Sequence, residues 1–233
     1  MPPDAAAAYR DSRERLSDLV MRSGDRADSV KVPACPDWTP KDVIAHVTGI
    51  CADVMAGKLS GVGTEEWTEA QVSARRDQTV AQVVEEWAEV GAAVEAMLPA
   101  FPPPADGLLI YDLYSHELDV FEALGEPLPA DAKAEETSLN VVLDEFKTRC
   151  EALGTPPLTV VAGNTTREIP GAGASVGESA ILRAEPVEIL RSLTGRRTPG
   201  EIRALDWGGA DASPWLEAFE IYLYKLRDVP LAR

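Results

Sequence analysis

Residues 39–57, TPKDVIAHVTGICADVMAG, read as one amphipathic helix with both ends marked. Thr39 offers an N-cap, Pro40 suits the first helical position, and Asp42 stands where a capping-box carboxylate belongs. The helix is expected to end near Gly57. Val43, Val47, Ile50, Cys51 and Val54 fall on one face, and His46, three after Val43 and four before Ile50, shares it.

A second run, residues 107–125, GLLIYDLYSHELDVFEALG, repeats the pattern. Its inward stripe reads Leu109, Asp112, Leu113, His116 and Val120. Asp112 and His116 are four residues apart and meet on one helix face. Burying such polar groups unpaired costs on the order of 2–7 kcal/mol each. His46 and His116 are the only histidines in the chain. Together with Asp112 they offer three ligands to one divalent ion, with no evident fourth. That is the pattern of a catalytic metal centre that keeps one position open. Against it stands a plainer reading: two core histidines hydrogen-bonded to Asp112, Tyr111 or the backbone. Asp119, three residues after His116, can orient that ring from behind, or can be a solvated helix charge like its neighbour Glu117.

Outward from these two helices the front of the chain is helical. Residues 4–22, 79–98 and 133–152 carry apolar positions at helical spacing, 64–77 reads as a short polar helix, and prolines at 99 and 102–104 stop the 79–98 helix. After Gly154 the texture changes. LTVVAG (158–163) and SAILRA (179–184) read as strands, separated by a Gly/Asn-rich turn region, 164–175, compatible with a hairpin. PVEILRSL (186–193) and residues 213–228 read as helices. The expectation is an all-α domain over 1–153 and a small α+β domain over 154–233. Trp38 is expected to pack the entry of the His46 helix, and Trp207 to seat the tail.

The chain has 233 residues and a net charge of −17, from 22 basic and 39 acidic side chains. Such a balance opposes binding to nucleic-acid phosphates or to an anionic membrane. No apolar run is long enough to span a bilayer, and MPPDAAAAYRDSRERL lacks the apolar core of a secretory leader. Cys35, Cys51 and Cys150 are odd in number and widely spaced. They suggest neither a disulfide framework nor a zinc ribbon, and a cytoplasmic protein is the simpler expectation. Cys51 reads as a small buried apolar residue. Five arginines between 183 and 203 face three glutamates. Arg196-Arg197 in that stretch, and Arg75-Arg76 earlier, are candidates to bind a carboxylate-bearing small molecule by bidentate forks. Surface salt bridges are the alternative.

Three stretches carry a family likeness: VPACPDWTPKDVIAHVTG (32–49), the Asp112–His116 segment running into EALGEPLP (122–129), and PVEILRSLTGRRTPGEIRALDW (186–207). They resemble the DinB-like superfamily of metal-binding four-helix bundles and, more narrowly, the mycothiol-dependent maleylpyruvate isomerase family. The resemblance implies an α+β chain, with an N-terminal four-helix bundle and a C-terminal domain. It also implies a divalent metal, usually zinc, held by His46, Asp112 and His116, with mycothiol as thiol cosubstrate. In one respect the chain departs from the family, which has glutamate at the carboxylate position where this chain has Asp112. Aspartate is one methylene shorter, so its helix must come closer to the ion. A thiol deprotonated at the open position could attack an electrophilic carbon, giving an isomerase or a thiol transferase. A hydrolase or lyase using water, or a non-catalytic metal-binding or regulatory bundle, is the alternative. Either a monomer or a homodimer fits.

Overall fold

A computed structural model describes residues 4–171, 179–222 and 224–231. By compactness the chain divides into two units, residues 1–134 and 135–232.

The first unit is built on four long helices: α1 (Ala5–Arg22), α3 (Pro40–Ala56), α5 (Val80–Met97) and α6 (Ala105–Leu124). Two short ones, α2 (Arg26–Ser29) and α4 (Glu65–Ser73), lie in the connections. The long helices pack in a ring, α1 to α5, α5 to α3, α3 to α6, and α6 back to α1. This is the expected four-helix bundle. The α3 ends are those marked in the sequence. The Thr39 amide donates to Asp42 Oδ2 at 2.9 Å, the Asp42 amide donates back to Thr39 Oγ1 at 3.3 Å, and Gly57 closes the helix at φ +66°.

Leu16, Leu19, Ile44, Trp87, Ile110, Leu113 and Leu118 fill the bundle core. Two polar clusters cross it. Glu95 of α5 takes Arg13 at 2.6 Å and Arg10 at 3.2 Å from α1. Glu117 of α6, fully buried, takes Arg15 of α1 at 2.7 Å, and Arg15 also meets Asp131 at 2.9 Å. Glu117 is therefore a fastening between α1 and α6 and not a solvated charge. Burial pushes its pKa up, against the opposing pull of Arg15.

In the second unit, α7 (Ala132–Leu153) runs into a three-stranded sheet of order β2-β1-β3. β1 (Leu158–Ala162) pairs antiparallel with β2 (Thr165–Ile169) and parallel with β3 (Ala180–Ala184). The compact division falls at 134/135, so α7, grouped in the sequence reading with the helical front, packs with the sheet. Arg167 of β2 reaches Asn140 at 3.0 Å and pairs with Asp144, and Phe146 meets Phe219 with centroids 4.8 Å apart. Helices α8 (Pro186–Leu193) and α9 (Pro199–Arg203) follow. β2 occupies the start of the expected turn region, and residues 172–175 of that region lie outside the described residues.

The expected helix over 213–228 is not formed. A 3-10 helix covers Ser213–Phe219 and the chain then leaves helical geometry, with Tyr222 at φ +50°; residue 223 lies outside the described residues. Side-chain anchoring prevails over local propensity here. The Trp215 indole donates to the Pro156 carbonyl at 3.0 Å, and Trp207 stacks on Trp215 at 5.5 Å. Trp207 is thus buried among second-unit aromatics. The 64–77 helix is trimmed to Glu65–Ser73, and α2 and α9 are too short for periodicity to reveal. No helix among the described residues is long and apolar enough to cross a membrane.

Candidate metal centre

Adjacent packing of α3 and α6 brings His46 against Asp112 and His116. His46 Nε2 lies 3.9 Å from Asp112 Oδ2, and His116 Nε2 lies 3.9 Å from Asp112 Oδ1. One ligand atom from each of the three residues falls within 4.8 Å of the other two. A separation of 3.9 Å is too long for a hydrogen bond. It is short enough for an ion about 2.0–2.2 Å from each atom to bridge. The two nitrogens and one carboxylate oxygen are a donor set that zinc accepts. The shorter Asp112 therefore still reaches both histidines.

Both rings are buried, His46 and His116 at 5% and 7% exposure, while the Asp112 side chain keeps 27%. The centre is thus open on the Asp112 side. The rings meet edge to face, 5.2 Å between centroids. Trp38 lies 5.2 Å from His46 and 6.1 Å from His116, and Trp67 of α4 meets His46 edge-on at 6.5 Å. Two indoles therefore wall the pair.

His46 is held from behind. Its Nδ1 lies 2.8 Å from Gln71 Oε1, and Gln71 Nε2 donates to Asp53 Oδ2 at 2.8 Å. The amide oxygen only accepts, so His46 carries its proton on Nδ1 and presents the Nε2 lone pair to Asp112. Burial lowers the His46 pKa to about 4, Asp112 opposing, so the ring is neutral near pH 7, as a metal ligand must be. Arg75 steadies this arrangement. It forks onto Glu86, with Nε at 3.1 Å, and donates from Nη1 to the Gln71 carbonyl at 3.1 Å.

His116 has no such brace. Its Nδ1 is buried without a hydrogen-bond partner among the described residues, 3.8 Å from Asp119 Oδ2. Asp119 is buried, not solvated. Cys35 lies close as well: one ligand atom each from Cys35, His116 and Asp119 also fall within 4.8 Å of one another.

Of the four arginines singled out in the sequence, Arg75 and Arg76 belong to the first unit and Arg196 and Arg197 to the second. Arg76 is exposed and meets Glu69 at 2.8 Å. Arg196 donates to the Thr194 carbonyl at 2.6 Å and lies 5.1 Å over the Tyr224 ring. Arg197 forks onto Glu188 at 2.6 and 2.9 Å.

Gln71, Cys35 and the two indoles were not singled out as site residues from sequence. Gln71 sits on a short polar helix with no periodic signal, and Cys35 in a proline-rich connection. Only their tertiary placement reveals them.

Residues 9–120 match the family model described as the mycothiol maleylpyruvate isomerase N-terminal domain. No curated protein matches the chain. Two solved structures share its fold. One is a crystal structure of the mycothiol-dependent maleylpyruvate isomerase, at TM-score 0.53 and 15% identity. The other is a histidine-to-alanine mutant of that enzyme, at TM-score 0.52 and 14% identity. Each match covers 82% of this chain and 88% of the other.

Proposed function

We propose that this chain, whose residues 9–120 match the model of the mycothiol maleylpyruvate isomerase N-terminal domain, is a metal-dependent enzyme of thiol chemistry. It uses mycothiol to isomerise, or to conjugate at sulfur, an electrophilic small molecule. The observation that carries this reading is the convergence of His46, Asp112 and His116 from two helices, ligand atoms within 4.8 Å, on a buried and one-sided site. Three protein ligands leave a position for an exogenous group.

His46, Asp112 and His116 would hold a divalent ion, zinc by its donor set, which would supply a Lewis-acid position able to lower the pKa of a bound thiol. The remaining work falls to the chain. His46 stays neutral and presents Nε2, because Gln71 holds the proton on Nδ1. Asp112 contributes the negative charge and marks the solvent-facing side. Asp119 stands behind His116 and can take up its Nδ1 proton in a hydrogen bond once the ring shifts by a fraction of an ångström. Trp38 and Trp67 exclude water from the ring faces. Within the first unit, the exposed Arg76 is the candidate to take a substrate carboxylate, in exchange for its present partner Glu69. The acidic composition and the absence of a disulfide among the three cysteines agree with a cytoplasmic protein.

Elemental analysis of the purified protein, followed by calorimetric titration with mycothiol, tests this. The expected result is one divalent ion per chain and thiol binding that disappears when the ion is stripped. Metal without thiol binding would sink both the isomerase and the transferase. Turnover that persists without added thiol would point instead to metal-bound water and a hydrolase or lyase.

A further inference from the structure

His116 addresses two different ligand sets with its two nitrogens. Nε2 faces Asp112 at 3.9 Å, and Nδ1 faces Asp119 at 3.8 Å. Sulfur also comes close to this pair, since one ligand atom each of Cys35, His116 and Asp119 lie within 4.8 Å of one another. Cys35 is brought there by a turn pinned along its backbone. The Val32 amide donates to the Trp38 carbonyl at 3.0 Å, the Cys35 amide to Val32 at 2.9 Å, and the Trp38 amide to Cys35 at 2.8 Å. His116 is more than nine-tenths buried, and its Nδ1 has no hydrogen-bond partner among the described residues. A buried ring nitrogen left unpaired is destabilising. A ligand on that side removes the penalty.

We propose a second metal pocket, formed by Cys35 Sγ, His116 Nδ1 and Asp119, which competes with the His46–Asp112–His116 centre for the same imidazole. A neutral imidazole has a single lone pair, so His116 serves one pocket at a time. When Nε2 is the ligand, Nδ1 carries the proton toward Asp119. When Nδ1 is the ligand, Nε2 carries it toward Asp112. The two carboxylates exchange roles, one ligating while the other orients the ring. Binding at the second pocket displaces the Cys35 thiol proton to solvent, and the thiolate favours soft or borderline cations such as zinc, cadmium and cobalt(II). The pocket shares His116 with the centre proposed above but does not depend on that centre being occupied.

The other cysteines do not compete for this role. Both are buried, and Cys51 is engaged at 2.9 Å with the Tyr9 hydroxyl.

The test is cobalt(II) titration of the full-length, chelator-stripped protein, without added thiol, read by absorption. The first centre offers cobalt only nitrogen and oxygen, whereas the second adds a thiolate and with it a near-ultraviolet sulfur-to-cobalt charge-transfer band. His46→Ala weakens the first centre and should leave a cobalt complex with that band. The band should vanish in His46→Ala/Cys35→Ser. Asp112→Ala serves in the same way if His46→Ala fails to fold. Cobalt bound to His46→Ala without the band, or a band that survives Cys35→Ser, overturns the second pocket. The two proposals fail differently. Without the second pocket, Cys35→Ser alone still shows the visible cobalt bands of the first centre. Without the first centre, Cys35→Ser binds no cobalt while the wild-type band remains.

Discussion

Replacing Gln71 by leucine should weaken the metal centre without touching a ligand. Gln71 is 3% exposed and makes two hydrogen bonds of 2.8 Å, one with His46 Nδ1 and one to Asp53. Leucine keeps most of the volume and removes both. The His46 Nδ1–H is then buried with no acceptor, a penalty of about 1–3 kcal/mol. The ring also loses the bond that fixes its tautomer. Removing the partner of a metal-ligating histidine typically costs about 10–100-fold in metal affinity. That is roughly 1.4–2.7 kcal/mol, so the two estimates agree. Asp53→Asn retains an acceptor for the Gln71 amide and should cost much less. The assay is competition for zinc with a chromophoric chelator at neutral pH, with circular dichroism to confirm that both variants stay helical. A folded Gln71→Leu protein with unchanged zinc affinity would refute the idea that Gln71 prepares His46 as a ligand.

Gly49 lies under the same side chain. A Cβ there would meet Gln71 Cβ at 2.4 Å and Cγ at 2.6 Å, atoms too close to the backbone to swing away. Gly49→Ala should therefore cost about 1–3 kcal/mol of stability and lower zinc affinity as well; a variant with wild-type urea midpoint and affinity would contradict this. Glu95→Ala strands Arg13, whose side chain is only 11% exposed, and should destabilise the bundle by about 3–5 kcal/mol in urea unfolding, with a shift below 1 kcal/mol counting against it. In the native, metal-free protein only Cys35, the half-buried thiol, should react quickly with a disulfide reagent. Burial pushes the Cys51 and Cys150 pKa values up to about 11. Denaturation should release all three, and two or more fast thiols in the native state would be inconsistent with that burial.

The bundle was legible because its helices announce themselves. Thr39, Pro40, Asp42 and Gly57 bracket α3, and His46, Asp112 and His116 interrupt stripes that are otherwise apolar. The tail was less legible. Residues 213–228 have helical composition, yet the Trp215 bond to Pro156 and the packing of Phe219 on Phe146 and Trp207 override it. β2, with the pattern of a half-exposed strand, was hidden among turn-forming residues. Around the centre, periodicity finds residues that point inward from a long helix. It cannot find Gln71, Trp67 or Cys35, which arrive from a short helix and a loop through tertiary packing alone. The same limit applies to Glu117, whose partner Arg15 lies 102 residues away.

In the proposed function, His46, Asp112 and His116 hold an ion whose open position takes a thiol. Cobalt(II)-loaded Cys35→Ser protein, in which the nearby sulfur is silent, tests it when titrated with mycothiol and followed by absorption. A sulfur-to-cobalt charge-transfer band that grows to saturation with added mycothiol, and fails to appear when His46→Ala is added to that background, is the predicted result. A cobalt-bound protein whose spectrum mycothiol leaves unchanged would contradict it.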